Sequence, residues 1–280
     1  MTGKEILLKG IEEIFEQCPG NLISREEADY PEAAGIRLFE FPLIGFGSAE
    51  DVLFSEFQEK GIIGPWHMSP IQWLPSAKTV LSLFFPFTEE VKKGNRRRCD
   101  GPSPAWLYGR VEGQKYLSSY TAMFAEWLTE QGIENCAPSI DKRFRQIIAG
   151  KSTEVYEGID AETFACNWSE RHAAYVCGLG TFGLSKGIIT EKGMAGRFTS
   201  IIIDTEISPD LRSYTEIYEY CTQCGACIKR CPARAISEHG KDHSLCSEWL
   251  NKMAQIHAPR YGCGLCQTKV PCESRKPKQR

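Results

Sequence analysis

CTQCGACIKRCP, residues 221–232, is the stretch of the sequence that decides the fold. Its cysteines follow the spacing C-x2-C-x2-C-x3-C-P, which is typical of proteins that bind two [4Fe–4S] clusters. Three thiolates at two-residue gaps surround one cluster, and the fourth cysteine of such a run ligates the other cluster. A second set of ligands must therefore follow. It is supplied by Cys246, Cys263, Cys266 and Cys272.

Eight cysteines suffice for two clusters with four ligands each. We assign Cys221, Cys224, Cys227 and Cys272 to cluster 1. We assign Cys231, Cys246, Cys263 and Cys266 to cluster 2. The second half departs from the simple two-cluster pattern, because Pro271 precedes the last cysteine instead of following it. Two zinc sites are the alternative, but zinc favours paired C-x2-C motifs separated by a longer gap.

The composition indicates an ordinary globular chain. Its 280 residues are 42% hydrophobic and 25% charged, which suits one large domain and one small domain. Charges recur through the N-terminus and no long apolar run exists, so we expect a cytoplasmic protein without a membrane span. The net charge of −3 argues against general nucleic-acid binding. The basic runs at 96–98 and 275–280 are expected to be solvated.

Helices and strands are predicted to alternate ahead of the cysteine-rich part. Helices are expected near the N-terminus and at 49–60, 113–131 and 169–176, and strands at 36–41, 78–85, 134–139, 188–190 and 198–204. This order indicates an α/β (α+β) N-terminal domain followed by a small two-[4Fe–4S] ferredoxin-like domain. The predicted boundaries are 1–215 and 216–280.

The segment GLGTFG, residues 178–183, has the form GxGxxG, and Asp204 lies about 20 residues further on. A dinucleotide fingerprint needs a strand before the glycines and a full helix after them. Here a helix is predicted before them and β-forming residues follow, so a nicotinamide site is disfavoured. What remains is that three glycines allow a tight turn or a close approach of the backbone to a large flat group.

The order of these motifs resembles epoxyqueuosine reductase. SERHAAYVCGLGTFG at 169–183, a Gly-Arg-Phe turn at 196–198, a strand to Asp204 and eight cysteines follow one another as in that family. Reductive dehalogenases are similar in the same way, and the resemblance extends over about 75–275.

The resemblance implies an oxygen-sensitive reductase that binds cobalamin on the α/β domain and receives electrons through the two clusters. It implies an external low-potential electron donor, such as a ferredoxin or flavodoxin. It also places one loop near the corrinoid. That loop consists of Gly178, Leu179, Gly180, Thr181, Phe182 and Gly183.

The family has an acidic proton donor shortly before the Glu-Arg pair, here at 170–171. Counting back without gaps reaches Phe164, which cannot donate a proton, whereas an insertion would bring Asp141 into the role. A carboxyl group must be protonated to donate, so Asp141 would need a raised pKa. The alternatives are that Asp141 caps a helix over 142–148, or that Tyr175 is the donor.

The substrate is expected to be a small molecule or a modified nucleoside. A tRNA substrate is doubtful, since the sequence carries no helical-repeat extension after Cys272 and has a net negative charge. A second hypothesis is a non-catalytic ferredoxin-type electron-transfer or corrinoid-reducing partner protein. A third is a nicotinamide- or flavin-linked oxidoreductase with a ferredoxin tail.

Overall fold

The structure is a computed structural model that describes residues 3–26, 28–147 and 165–278. Its helices are α1 (Gly3–Gln17), α2 (Val52–Glu56), α3 (Pro70–Trp73), α4 (Glu89–Arg96), α5 (Pro104–Glu130), α6 (Glu170–Val176), α7 (Ala226–Arg230) and α8 (His243–His257). Its strands are β1 (Leu43–Ser48), β2 (Thr79–Pro86), β3 (Asn135–Cys136), β4 (Gln146–Ile147), β5 (Ala165–Cys166), β6 (Gly180–Phe182), β7 (Ile188–Thr190), β8 (Gly196–Ile203), β9 (Ile236–Ser237) and β10 (Gly240–Lys241). Within the described ranges, no helix combines the length and the apolar composition that crossing a membrane requires.

A four-stranded sheet with the order β1-β2-β8-β3 forms the centre of the larger part. All neighbouring strands in it are antiparallel. Every residue of β2 is buried, as the nearly continuous apolar run at 78–85 predicts for a strand covered on both faces. The predicted mixed fold is confirmed, and the antiparallel pairing makes it α+β.

One face of the sheet packs against α1 and α5. The core between them is rich in aromatic rings, and its members include Ile11, Phe39, Leu81, Phe85, Tyr116, Tyr120 and Phe124. The helix predicted at 113–131 is therefore confirmed, with its rings in the core. It begins earlier, at Pro104, because the Ser103 hydroxyl caps it by accepting from the Trp106 backbone N–H at 3.3 Å.

The opposite face of the sheet packs against α6 and the loop that follows it. A Cβ atom at Gly45 of β1 would lie 2.3 Å from the Cys177 carbonyl oxygen, so only glycine lets the loop come this close. The Trp168 indole N–H donates to the hydroxyl of Ser200 on β8 at 2.9 Å. These contacts fix the start of α6 directly over the middle of the sheet.

Three of the predicted elements differ in the structure. The strand at 36–41 is reduced to isolated antiparallel bridges, of which one joins Phe39 to Phe87, and the Asn21 side chain takes the N–H and the C=O of Phe39 (2.8 and 3.1 Å). The helix at 49–60 shortens to α2, and the strand at 134–139 shortens to β3, because Pro138 begins a 3₁₀ turn.

The cysteine-rich part packs closely against the rest of the molecule. The Asn95 side chain donates to the Cys263 carbonyl at 3.1 Å, and Arg260 pairs with Glu112 of α5 at 3.0 Å. One apolar cluster contains Tyr175 and Phe182 together with Tyr220 and Val270. The two predicted domains thus share a core, and the boundary at 215/216 stays a prediction.

Candidate redox site

The four cysteines assigned to cluster 1 line one cavity. Cys221, Cys224 and Cys227 lie on the chain entering α7, and Cys272 reaches the same cavity from the C-terminal segment. The remaining lining is mostly apolar and includes Leu184, Ile189, Met194 and Val270. The reversed order of Pro271 and Cys272 therefore does not prevent the Cys272 thiol from reaching the cavity of the other three cysteines.

The four cysteines assigned to cluster 2 form a second group. Burial raises the pKa of the Cys263 thiol to about 12, and the thiols of Cys266, Cys246 and Cys231 add to the increase. Burial likewise raises the pKa of Cys272 to about 12, and there the contributing thiols are Cys227, Cys221 and Cys224. Cys263 and Cys272 thus each face the other thiols of the cluster to which they are assigned. Cys227 also faces Cys266, so the two groups adjoin.

The cysteine groups differ from a site for a single metal ion. In the described ranges, no three His, Cys, Asp or Glu side chains converge at the spacing that one metal ion requires. The eight thiols instead form two groups of four, an arrangement that suits two cubane clusters with four thiolates each.

The segment 178–183 joins α6 to the cysteine-rich part. Thr181 Oγ1 accepts from the Tyr220 N–H, and the Phe182 N–H donates to the Ile217 carbonyl, both at 2.8 Å. The segment runs into the β6–β7 hairpin, and Gly183 lines the cluster 1 cavity. A helix precedes the glycines and a hairpin follows them, so the dinucleotide geometry is absent from this segment. Contact between these six residues and a corrinoid stays a prediction.

Gly180→Ala is expected to destabilise the protein by about 1–3 kcal/mol, because a Cβ atom there would lie 2.0 Å from the Ile189 carbonyl oxygen. Gly183→Ala is the matched control, since its Cβ atom would meet only a side-chain carbon of Ile189, at 3.3 Å. Thermal unfolding of the two variants measures the difference. Equal midpoints for both would contradict a structural role for Gly180.

Asp141 lies at the end of the 3₁₀ turn Pro138–Ile140 and does not cap a helix. Its carboxylate accepts from the Arg143 backbone N–H at 2.7 Å and pairs with the Arg143 guanidinium at 2.8 Å. Hydrogen bonding from Arg143 lowers the pKa of Asp141 to about 2. The carboxyl is therefore ionised at neutral pH, the opposite of what the predicted proton donor needs. Phe164 lies outside the described residues.

Glu170 is the carboxyl that the sequence reasoning passed over. It is the first residue of α6, and both of its carboxylate oxygens are buried without a partner at hydrogen-bonding geometry. Burial raises the pKa of Glu170 to about 8. The nearby hydroxyls of Ser200 and Ser139 lower this pKa, but by less than burial raises it. Most of this carboxyl is therefore protonated at neutral pH. The Glu-Arg pair in the sequence was the available signal, but burial of the carboxyl depends on parts of the chain far from it.

Arg171, the next residue, lies near the thiols of cluster 2. Its side chain keeps exposed surface, yet burial lowers its pKa, and the thiols of Cys266 and Cys246 face it. Burial also lowers the pKa of Arg197 to about 9, and its Nε has no hydrogen-bond partner. Arg110 of α5 faces both arginines and stacks on the Tyr261 ring at 4.6 Å. Three arginines from α5, α6 and β8 thus meet next to the cluster 2 thiols.

Two further polar residues of α6 have local partners. His172 shares a hydrogen bond with the Ser169 hydroxyl at 2.7 Å and lies between the rings of Phe57 and Phe182. Burial lowers its pKa to about 3, so the ring is neutral. The Tyr175 hydroxyl donates to the Thr215 carbonyl at 3.2 Å, and burial raises its pKa. These contacts give Tyr175 no advantage over Glu170 as a proton donor.

Comparison with known proteins agrees with this geometry. Residues 214–237 match the 4Fe-4S binding domain family. An epoxyqueuosine reductase from Leadbetterella byssophila is 30% identical over 108 residues, which cover 35% of this chain and 34% of that protein. The match thus spans about a third of the relative's length.

Solved structures give the same result at the level of fold. An epoxyqueuosine reductase in complex with an epoxyqueuosine-modified tRNA stem loop has a TM-score of 0.53 at 16% identity, covering 98% of this chain and 68% of that one. A catabolic reductive dehalogenase in complex with 3-bromo-4-hydroxybenzoic acid has a TM-score of 0.53 at 14% identity, covering 84% and 30%. The resemblance predicted from the motifs is therefore confirmed, and the chain has the epoxyqueuosine reductase-like fold with a C-terminal 4Fe-4S binding domain.

Proposed function

We propose that this chain is a cytoplasmic, oxygen-sensitive reductase in which electrons pass through two [4Fe–4S] clusters to a corrinoid beside Arg171 and Arg197, and in which Glu170 supplies a proton. The observation that carries the proposal is the position of Glu170. A buried, largely protonated carboxyl begins the same helix as Arg171, which faces the thiols of cluster 2. A proton source and an electron source therefore lie at neighbouring residues.

The residues near cluster 2 fit a large polar cofactor. Buried polar atoms without a partner, Glu170 Oε1 and Oε2 and Arg197 Nε, mark places where a bound group could supply the missing hydrogen bonds. Arg110, Arg171 and Arg197 match the carboxamide oxygens and the phosphate that cobalamin carries. When bound, the corrinoid would supply the reducing chemistry, which no side chain can perform.

The chain's own residues would control the proton and the charge around the reacting group. Reductive loss of an epoxide oxygen or of a halide consumes two electrons and at least one proton. Glu170 can donate that proton at neutral pH because burial favours its protonated form. The Trp168 indole holds the Ser200 hydroxyl next to it. Arg171 and Arg197 would stabilise negative charge that develops on the leaving oxygen or halide.

A modified nucleoside is the substrate class to test first. The tRNA stem-loop complex belongs to a relative whose fold covers 98% of this chain. The doubt about tRNA, drawn from sequence alone, therefore has no structural support. Epoxyqueuosine-containing stem loops come first in a screen, followed by small epoxides and halides.

The test is anaerobic purification after growth with cobalamin, followed by iron, sulfide and cobalt analysis. About eight iron atoms per chain, together with tightly bound cobalamin, are expected. Eight iron atoms without cobalamin binding would overturn the reductase and leave the non-catalytic electron-transfer protein. Binding of cobalamin by the wild type but not by an Arg171→Ala and Arg197→Ala double variant would place it beside these two arginines.

A further inference from the structure

Cluster 1 is the more accessible of the two cysteine groups. Of the eight ligand cysteines, all of which lie in the described ranges, only Cys224 is exposed. Cluster 2 instead faces Arg171. Because electron transfer between proteins requires a close approach to the accepting group, electrons from outside would enter at cluster 1 and leave through cluster 2.

The chain around the cluster 1 cavity carries positive charge. Pro271 and Pro277 line the cavity, and the basic residues beside them form what we call the basic rim: Lys269, Arg275, Lys276 and Lys278. All of these except Lys276 are exposed. The one acidic residue between them, Glu273, is buried and pairs with Arg96 at 2.6 Å. The exposed charge of 269–278 is therefore entirely positive.

The basic rim is held in place by packing. The Lys276 ammonium group lies 3.4 Å from the centre of the Tyr220 ring, and Pro277 is buried against the cavity. The expectation of a simply solvated tail is thus wrong for these two residues. The Lys276 ammonium group also pairs with the exposed Glu191 carboxylate at 3.8 Å. A positive surface next to an exposed cluster ligand stands out in a chain whose net charge is −3.

We infer that the basic rim docks an acidic, low-potential electron-transfer protein that reduces cluster 1. The inference rests on the proposed function, since it requires the two clusters. Charge complementarity carries it, because opposite charges on two partners steer their encounter and raise the association rate. In each encounter one electron leaves the reduced cofactor of the donor and one oxidised cluster gains it.

The test uses the cluster-loaded full-length chain and an acidic flavodoxin, reduced to its hydroquinone, as the probe. The variant is Arg275→Glu with Lys278→Glu, two exposed residues at the rim. The control is Lys9→Glu with Lys115→Glu, which makes the same charge change on α1 and α5 at the far face of the sheet. Stopped-flow absorbance measures cluster reduction at low and high salt.

The rim variant is expected to react about 10-fold or more slowly at low salt, with the difference disappearing at high salt, while the control stays within about twofold of the wild type. The extent of reduction by dithionite should be the same in all three proteins. Equal rates for the rim and control variants, together with full reduction by dithionite, would overturn the docking surface alone. Failure of the wild type to take up clusters would overturn the proposed function as well.

Discussion

Cys272→Ala is expected to reduce the iron content of the anaerobically purified protein from about eight atoms to about four. Cys272 lines the same cavity as Cys221, Cys224 and Cys227, so its loss leaves cluster 1 with three ligands. Cluster 2 keeps all four of its thiols. Iron and sulfide analysis with electron paramagnetic resonance of the reduced protein measures the result.

Double variants test which cysteines share a cluster. Combining Cys272→Ala with Cys221→Ala should remove no more iron than either change alone, because both remove the same cluster. Combining Cys272→Ala with Cys231→Ala should remove nearly all of the iron, because each change removes a different cluster. Cys99→Ala is the control, since Cys99 is exposed and belongs to neither group. Loss of all iron from the Cys221 and Cys272 pair would contradict the assignment.

The cysteine groups could be predicted from sequence because iron–sulfur ligands within one run have a fixed spacing. The central strand β2 could be predicted for a similar reason, since a strand buried on both faces reads as a continuous apolar run. The strand at 36–41 could not be excluded in this way. The N–H and C=O of Phe39 are taken by the Asn21 side chain, and no local pattern in 36–41 shows that a side chain elsewhere in the chain will do so.

The acidic proton donor was harder to predict from sequence for the same physical reason. Asp141 and Glu170 are both carboxyl groups near predicted helix starts, and the sequence gives them equal chemistry. Their pKa values move in opposite directions because Asp141 is paired with Arg143, whereas Glu170 is buried against the sheet with only serine hydroxyls nearby. Burial and pairing are properties of the folded chain, so they become visible only once the sheet and α6 are in place.

Glu170→Gln is expected to remove the contribution of Glu170 to the pH dependence of stability between about pH 4.5 and 8. The fold raises the pKa of Glu170 from 4.5 to about 8, so in this interval the folded protein holds a proton that the unfolded chain releases. This carboxyl therefore lowers the free energy of unfolding as the pH rises, by up to about 1.4 kcal/mol per pH unit. Glutamine cannot ionise, so the variant lacks this slope. Thermal unfolding of cluster-loaded protein across the interval measures it.

The titratable groups around Glu170 do not provide the same signal. The Cys166 and Cys177 thiols are kept neutral by burial, which raises the pKa of Cys166 to about 11 and that of Cys177 further. Burial lowers the pKa of His172 to about 3 and that of His67 to about 4, so these rings contribute with the opposite sign, and their contribution is the same in the wild type and the variant. Asp141→Asn is the control with the opposite sign, because the pKa of Asp141 is lowered from 3.8 to about 2 and its stabilising effect is lost only as the pH falls through that range. Parallel stability curves for wild type and Glu170→Gln would show that Glu170 does not titrate as described.

The same variant tests the proton that Glu170 is proposed to supply. Once a substrate is found, Glu170→Gln should lower turnover by about 100-fold or more, whereas Asp141→Asn should leave it within a few-fold. Wild-type turnover should fall as the pH rises through about 8, because the acid loses its proton there. Iron content and cobalamin binding should be unchanged in both variants, which separates proton donation from cofactor loss. A fall in turnover with Asp141→Asn but not with Glu170→Gln would return the role of proton donor to Asp141. Its ion pair with Arg143 would then have to open during turnover, since a carboxylate held by a guanidinium has no proton to give.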